Sequence, residues 1–194
     1  MQPFKVKPWE LVNHALNQIA YNLKADSSAS FITYFDAVKI PKISLDDYIK
    51  RIHKYANCSE ACYILSFIYL DRLLHKNPSF VLSMKNIHRL ILLTTVIAIK
   101  YLDDLYADNK FYAIIGGITL KELNLLETDI LRLLSYELYV DPELFSQYYT
   151  ELEFYYQKER EEPMIDLMEE ELKSTIDNES IMSDGTINSV INAC

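Results

Sequence analysis

The chain has 194 residues, of which 50% are hydrophobic and 24% are charged, and its formal net charge is -9 at pH 7. This length fits one domain, with room for an appended tail, and is large enough to bury a core without covalent or metal staples. The acidic excess argues against binding to nucleic acid or to an anionic membrane, because both require a basic face. A protein partner with a basic surface is compatible with it.

The cysteines and the apolar runs bear on the cellular compartment. Three cysteines, Cys58, Cys62 and Cys194, give no even disulfide framework, and no secretory signal precedes them. We therefore expect a reducing compartment, the cytoplasm or the nucleus. The most apolar run, residues 90–99, is far shorter than the roughly 20 residues that cross a bilayer, and a charged residue flanks it at each end. The run is predicted to lie in the protein core.

Glycine and proline punctuate the chain in a way that is typical of an all-helical fold. Only three glycines and six prolines occur, and none interrupts a stretch with helical periodicity. The first predicted helix begins at Pro8 and ends near Leu23. Its apolar stripe consists of Val12, Leu16, Ile19 and Leu23. Residues 26–30 are a predicted linker, and residues 31–41 are predicted to be an extended or single-turn segment packed onto the domain.

Capping signals open the second and third predicted helices. Ser44 and Asp47 have the spacing of a capping box at the start of the second helix. Ser59 is predicted to cap the third helix, whose residues 61–70 are apolar nearly all round. The fourth helix, over about residues 84–102, contains the most apolar run. Helices that are apolar on nearly every side are predicted to be buried on most sides.

A short fifth helix over residues 110–115 is predicted to stop at Gly116-Gly117. A phosphate-binding loop is the alternative reading of two adjacent glycines, but a helix end followed by a turn is the more common one. Thr119 and Glu122 form a second capping box, which opens the sixth helix.

The C-terminal part of the chain contains one strong start signal. Asp141 and Pro142 supply an N-cap residue followed by proline at the first helical position, which predicts a helix through Leu152. Residues 163–176 are acidic and only weakly amphipathic, and a further helix is predicted there. After Asp177 the chain becomes polar, and we expect disorder.

No motif of a nucleotide-binding loop, a nucleophile elbow or a zinc protease occurs, and the four histidines lack the spacing of metal ligands. Cys58 and Cys62 are interpreted as small buried apolar side chains. Asp103, Asp104 and Asp108 form an acidic cluster, which is interpreted as a solvated helix end and the N-cap of the next helix rather than as an ion site. We therefore expect no metal ion, no cofactor and no active site.

Two charged residues occupy apolar helical stripes. Lys100 continues the apolar face of the fourth helix, and Glu127 lies within the apolar face of the sixth. An unpaired buried charge is costly, so each group must be paired, exposed at an edge or satisfied by a partner. An internal salt bridge, or a helix twist that carries both residues to the solvent, explains them structurally. The other interpretation is a paired lysine and glutamate at the core border, presented to the backbone of a partner protein.

Several short motifs together carry a resemblance to a known family. They are residues 54–59, residues 69–73, residues 98–104, Asn109, Tyr112-Ala113, Gly116-Gly117-Ile118, Glu122, Asn124 and Glu127. These segments resemble the two halves of a cyclin box. The specific resemblance is to the P/U-type cyclins, which include the yeast phosphate-regulon cyclin and its plant and protozoan relatives, and it covers about residues 31–138.

The resemblance implies an all-α fold, in which a five-helix cyclin-box bundle has an extra N-terminal helix and short C-terminal helices. The implied divisions of the chain are an N-terminal helix and linker over residues 1–30, a single cyclin box over residues 31–140, C-terminal helices over residues 141–176 and a tail over residues 177–194.

The resemblance also implies a partner, a cyclin-dependent protein kinase. The cyclin-box lysine falls on Lys100 and the fifth-helix glutamate of the box falls on Glu127, and in the family these two residues grip the kinase segment that leads into the αC helix. We also expect Asp103 and Asp104 to contact the partner. The expected function is that of a non-catalytic kinase regulator in the cell cycle or in phosphate signalling. The alternative is a cyclin-fold adaptor that binds a protein without activating a kinase.

Overall fold

The computed structural model of the protein describes residues 4–25 and 33–160. The predicted linker over residues 26–30, the first two residues of the predicted 31–41 segment, the predicted helix over residues 163–176 and the predicted tail lie outside these ranges. The chain divides into two compact units, Met1–Glu153 and Phe154–Cys194. Of the second unit, the structure describes residues 154–160, which are helical.

The described residues form helices joined by loops and contain no β-strand, which confirms the predicted all-α class. The helices are α1 (Pro8–Ala25), α2 (Leu45–Ala56), α3 (Ala61–Lys76), α4 (Ile87–Leu102), α5 (Asn109–Gly116), α6 (Leu120–Leu133) and α7 (residues 142–160). Helices α2 to α6 are the predicted five-helix bundle, and α1 is the extra N-terminal helix. Helix α7 contains Leu144, Tyr148 and Leu152, through which the helix was predicted to run.

The core is built around α3 and α4, which share the most extensive contact of any helix pair. Every residue of α4 from Ile87 to Ile99 is buried except Arg89. Full burial of one leucine or isoleucine side chain contributes about 1.5–3 kcal/mol, so this apolar run supplies much of the stability of the fold. Among the described residues, no helix is both long enough and apolar enough to span a membrane.

The helix starts predicted at Ser44, Thr119 and Asp141 have the expected caps. The side chains of Ser44, Thr119 and Asp141 accept hydrogen bonds from the backbone N–H three residues later, at 3.0, 3.1 and 2.8 Å. Each of these bonds satisfies a backbone donor that the first turn of a helix leaves unpaired, and a cap of this kind contributes about 1 kcal/mol. Local sequence therefore determines where these helices begin.

The predicted cap at Ser59 is wrong. Glu60 occupies the N-cap position of α3, and its side chain makes no capping hydrogen bond. The Ser59 hydroxyl oxygen lies 3.3 Å from the Cys62 sulfur instead of accepting a backbone N–H. The backbone at this end of α3 donates instead to the carboxylate of a residue that is distant in sequence, Asp103.

The glycine pair ends α5, as predicted. Gly117 has φ +68°, a left-handed conformation that favours glycine, and the N–H of Ile118 donates to the Ala113 carbonyl at 3.0 Å. Gly116 is needed for a different reason, since a Cβ atom there would lie 2.1 Å from Leu92 Cδ2. The absence of a side chain at this position allows α5 to approach α4 closely.

The loop before α2 is held against the start of α4. Residues 33–44 are not helical apart from a turn, in agreement with the sequence, and Phe35 is buried. The Arg89 guanidinium donates to the carbonyl oxygens of Phe35 and Asp36, at 3.3 and 2.8 Å. The Asn86 side-chain amide donates to the Asp36 carboxylate at 3.2 Å. These bonds fix one wall of a cleft that lies between this loop, α2, the first turn of α4 and the turn from α5 to α6.

Candidate protein-interaction site

Lys100 and Glu127 meet where the last turn of α4 passes the middle of α6. The Lys100 Nζ atom lies 2.5 Å from Glu127 Oε1, and the Asn109 side-chain amide donates to Glu127 Oε2 at 2.7 Å. Both carboxylate oxygens therefore have a partner. The three residues come from three different helices, since Asn109 is the first residue of α5, and their bonds join the end of α4 and the start of α5 to the middle of α6.

The pair lies at the border of the core. The side chain of Lys100 is 27% exposed and that of Glu127 is 14% exposed. The internal salt bridge that the sequence left open as one alternative is thus formed. The two charged groups also keep access to solvent, which a contact with a partner would require. Because both side chains are partly buried, solvent screens their electrostatic attraction less than it screens that of a fully exposed pair.

Asn109 and Asn124 extend the network. The Asn109 side-chain amide also donates to Asn124 Oδ1 at 2.8 Å, and Asn124 precedes Glu127 by three residues on the same face of α6. The Asn109 Oδ1 atom is buried and has no hydrogen-bond partner among the described residues. Both asparagines belong to the motifs that carry the cyclin-box resemblance, but the sequence did not predict a role for either of them. Asn109 holds the Glu127 carboxylate in place, and Asn124 holds the Asn109 amide.

The loop that leads from α4 to α5 is also fixed. The Tyr112 hydroxyl accepts a hydrogen bond from the backbone N–H of Ala107 at 3.1 Å, and burial raises the pKa of this tyrosine above its usual value. The Asp108 carboxylate accepts from the backbone N–H of Phe111 at 2.9 Å. Asp108 is therefore the N-cap of α5, as predicted, and the loop presents Asp104 from an ordered backbone.

The structure separates the two aspartates that were both predicted to contact a partner. Asp103 is half-buried, and its Oδ2 atom accepts the backbone N–H of Ser59 at 2.9 Å. A carboxylate in this position is favourable because the N-terminal end of a helix is electropositive. Asp104 is exposed. Asp103 thus has an internal role that the sequence did not reveal, and a partner contact for either residue remains a prediction.

Exposed apolar side chains follow Lys100 in the chain. The α4–α5 apolar surface consists of exposed residues that follow one another from the last turn of α4 to the end of α5: Tyr101, Leu102, Leu105, Tyr106, Phe111 and Ile114. Large exposed apolar groups that occur together indicate an interaction site. Sequence reasoning missed this surface, although apolar pairs next to Asp103 and Asp104 were a usable signal.

The described residues contain no group of three or more histidine, cysteine or acidic side chains that could hold a metal ion. Cys62 is buried, as the sequence predicted, whereas Cys58 is half-buried. A hydrogen bond with Cys62 lowers the pKa of Cys58.

The Lys100–Glu127 pair and the α4–α5 apolar surface offer charge-assisted hydrogen bonds and apolar area, which are the means by which proteins bind one another.

A model of the cyclin family matches residues 11–138. The chain belongs to the cyclin family. It is 43% identical over 122 residues to Cyclin-U4-1 of Arabidopsis thaliana, which is 63% of this chain and 60% of that protein. It is 36% identical over 139 residues to Cyclin-P4-1 of Oryza sativa subsp. japonica, which is 72% of this chain and 66% of that protein. A third relative is Cyclin-U3-1 of Arabidopsis thaliana, 42% identical over 126 residues, or 65% of this chain and 57% of that protein.

These relatives confirm the resemblance to P/U-type cyclins. The cyclin spans about three-fifths of the length of the relatives that it matches. The family match begins inside α1, earlier than the resemblance that the motifs carried. The physical reason is packing, because Leu11, Val12 and Leu16 of α1 are buried and α1 contacts both α2 and α3. Helix α1 is therefore part of the folded unit.

Proposed function

We propose that this cyclin is the regulatory subunit of a cyclin-dependent serine/threonine kinase, which it binds and activates without catalytic groups of its own. The observation that carries the proposal is the Lys100–Glu127 pair, bonded at 2.5 Å at the border of the core and followed in the chain by the α4–α5 apolar surface. Family membership supports the same conclusion.

The pair suits recognition of a partner's backbone. A lysine ammonium has three donors and a carboxylate has about four acceptor positions, so the internal bonds leave capacity on both groups. Glu127 can accept further N–H groups, and Lys100 can donate to carbonyl oxygens. The salt bridge and the Asn109 amide hold both groups before any partner arrives. Such preorganisation reduces the entropy lost on binding.

The α4–α5 apolar surface would supply the buried area of the interface. Aromatic residues dominate the binding energy of many protein interfaces, and Tyr101, Tyr106 and Phe111 are exposed here. In the proposed complex the charged pair fixes the position of the kinase segment, and the aromatic side chains provide most of the affinity. Asp104, at the edge of this surface, is proposed to contact the kinase as well.

Activation follows from selective binding. A protein kinase is active only when the αC helix is placed so that its glutamate pairs with the lysine of strand β3. A partner that binds this placement, and not the inactive one, shifts the population toward it. A shift from 1% to 99% active kinase requires about 10⁴-fold tighter binding to the active state, or about 5.5 kcal/mol. An apolar interface with a fixed charged pair can supply a difference of this size.

The proposal is tested by purification of the cyclin with its partners from the cell that makes it, followed by mass spectrometry. The identified kinase is then mixed with the purified cyclin, and phosphorylation of a peptide substrate is measured. We expect co-purification of a cyclin-dependent kinase and an increase in its activity. A kinase that binds but is not activated would favour the adaptor function, and the absence of any such kinase would contradict the proposal.

A pair of matched variants makes the test specific to the site. Lys100→Glu is expected to abolish binding to the kinase. Lys50→Glu also reverses the charge of a lysine that is paired with an acidic residue, since Lys50 Nζ lies 2.6 Å from Asp46 Oδ2. This second pair is exposed on α2 and lies outside the proposed interface. Binding should survive in Lys50→Glu. Equal binding by both variants, with helical content confirmed by circular dichroism, would contradict the assigned interface.

A further inference from the structure

Two cysteine thiols lie side by side where the loop after α2 enters α3. Cys58 belongs to the loop and is half-buried, whereas Cys62 is in the first turn of α3 and is 0% exposed. The backbone N–H of Cys62 donates to the Ser59 carbonyl at 3.0 Å, which folds the chain between the two cysteines into a turn. A hydrogen bond joins the two thiols. The turn thus holds a sulfur of the loop next to a sulfur of the core.

The surroundings of Cys58 favour its thiolate. Its sulfur accepts hydrogen bonds from the Cys62 thiol and from the Tyr63 hydroxyl. These bonds lower the pKa of Cys58, although burial and the negative charges of Asp103 and Glu60 act in the opposite direction. The thiolate is the nucleophilic form of cysteine, so a lowered pKa increases the reactive fraction near pH 7. The neighbours of Cys58 in sequence, Asn57 and Ser59, are exposed, so the loop that carries this thiol is open to solvent.

Cys62 has the opposite properties. The hydrogen bond with Cys58 and burial raise the pKa of Cys62, so it remains a thiol. Its sulfur lies 3.3 Å from Ser59 Oγ and 3.5 Å from Asp103 Oδ2, to which the S–H can donate. A buried thiol of this kind is protected from reagents in solution but can react with the sulfur beside it. One activated cysteine next to a second, resolving cysteine is the arrangement of redox-sensitive thiols.

We propose that Cys58 and Cys62 are an oxidation site, at which a peroxide converts the two thiols into a reversible disulfide. The Cys58 thiolate attacks one peroxide oxygen. An S–O bond forms, the O–O bond breaks, and the leaving hydroxide takes a proton from solvent to become water. The Cys62 sulfur then attacks the Cys58 sulfenic acid. The S–S bond forms, the S–O bond breaks, and the leaving hydroxide takes the Cys62 proton. The two thiols lose two electrons, and the peroxide is reduced to two water molecules.

The position of the pair fits a reversible modification rather than a structural disulfide. In a reducing compartment, which the sequence predicts, disulfides are usually transient or redox-sensing. Formation of the disulfide removes the S–H that lies beside Asp103, the residue that ends α4 and accepts the Ser59 N–H. Oxidation therefore changes the contacts between the start of α3 and the end of α4. This site requires no kinase, so its failure leaves the proposed function intact.

The site is tested with the full chain in a Cys194→Ser background, which leaves these two cysteines alone. The reduced protein is treated with hydrogen peroxide, remaining thiols are blocked with N-ethylmaleimide, and tryptic peptides are weighed. Peptide 55–72 contains both cysteines. We expect it to become lighter by two hydrogen atoms and to take up no maleimide, and dithiothreitol should restore both thiols. Two thiols that persist, or sulfonic acid or a disulfide between chains as the main product, would overturn the proposal.

Variants assign the two roles. In Cys62→Ser the Cys58 sulfenic acid cannot be resolved, so dimedone should label Cys58 after peroxide treatment. Cys62→Ala serves the same purpose if Cys62→Ser does not fold, as judged by circular dichroism. In Cys58→Ser the buried Cys62 should react at least about 10-fold more slowly than Cys58 does in the chain with both thiols. Equal rates of peroxide oxidation of Cys62 in Cys58→Ser and of Cys58 in that chain would overturn the proposal.

The activation of Cys58 is measured by its rate of alkylation with iodoacetamide as a function of pH. We expect a midpoint below the ordinary cysteine pKa of about 8.5. Tyr63→Phe removes one donor, so its midpoint should move to higher pH and its rate at pH 7 should fall about 2- to 10-fold. Tyr48→Phe removes another buried hydroxyl, which donates to Gly116 instead, and should change neither. A midpoint above the ordinary value in the native chain would overturn the proposal.

Discussion

The Oδ2 atom of Asp103 accepts a hydrogen bond from the backbone N–H of Ser59 at 2.9 Å. This bond joins the end of α4 to the start of α3, the two helices that form the centre of the core. The Asp103 carboxylate is also 3.5 Å from the Cys62 sulfur, in the first turn of α3. Asp103 thus does for α3 what the Ser59 side chain was expected to do.

The two neighbouring aspartates should differ in their effect on stability. Asp103→Ala is expected to lower the free energy of unfolding by about 0.5–2 kcal/mol, because it removes a carboxylate that caps a helix. Asp104→Ala, at an exposed position, should change it by less than about 0.5 kcal/mol. Urea denaturation at pH 7 measures the free energy of unfolding of both variants. Equal losses in the two variants would show that the bond to Ser59 does not stabilise the fold.

Gly116 should be more sensitive to substitution than its neighbour. In Gly116→Ala the new Cβ would meet Leu92 Cδ2 at 2.1 Å, and overpacking of a core typically costs about 1–3 kcal/mol. The double variant Gly116→Ala with Leu92→Val should recover part of this loss if the clash is its cause. Gly117→Ala meets no atom within 4 Å, so its cost is limited to the left-handed backbone, about 1–2 kcal/mol. Thermal and urea unfolding of the three variants measure these losses of stability. If the double variant recovers no stability, the clash with Leu92 is not the cause of the loss.

The stability of the cyclin should fall as the pH is lowered from 7 to 5. Burial lowers the pKa of His88 and of His53 below the ordinary value of 6.5. Below pH 6.5 the unfolded chain binds protons that the folded chain does not, so acid favours unfolding until the folded-state pKa values are reached. His88→Gln removes one of these groups and should reduce the drop in Tm between pH 7.5 and pH 5.5.

His75 provides the control for this measurement. It is exposed on α3, and its ring nitrogen lies 3.3 Å from the Asp71 carboxylate. His75→Gln should leave the drop in Tm at least as large as in the native chain. The explanation by burial fails if His88→Gln and the native chain lose the same Tm over this pH range.

The features that sequence could predict are those set by neighbouring residues. The caps at Ser44, Thr119 and Asp141 and the stop at the glycine pair depend on a few adjacent positions, and the structure has them. Lys100 and Glu127 were detectable for a related reason, since a charge on an apolar helical stripe contradicts the local pattern.

The features that sequence missed are produced by contacts between distant segments. The cap on α3 comes from Asp103, 44 residues after Ser59. The cleft is lined by four parts of the chain that lie far apart in sequence, and Arg51 and Arg89 give no local signal that they face the same recess. The use of Asn109 to hold Glu127 likewise depends on how α5 packs against α6. Spacing along one helix cannot reveal these relationships.

The most direct test of the account is kinase binding by Lys100→Glu, Glu127→Lys and the double variant that carries both changes. Each single variant places like charges next to each other and should lose stability and kinase affinity. The double variant re-forms the internal salt bridge, so its stability should recover. Its kinase affinity should remain about 100-fold or more below that of the native chain, because the kinase then meets reversed charges. Native affinity in the double variant, measured by calorimetry with the purified kinase, would contradict the account and assign the pair a purely structural role.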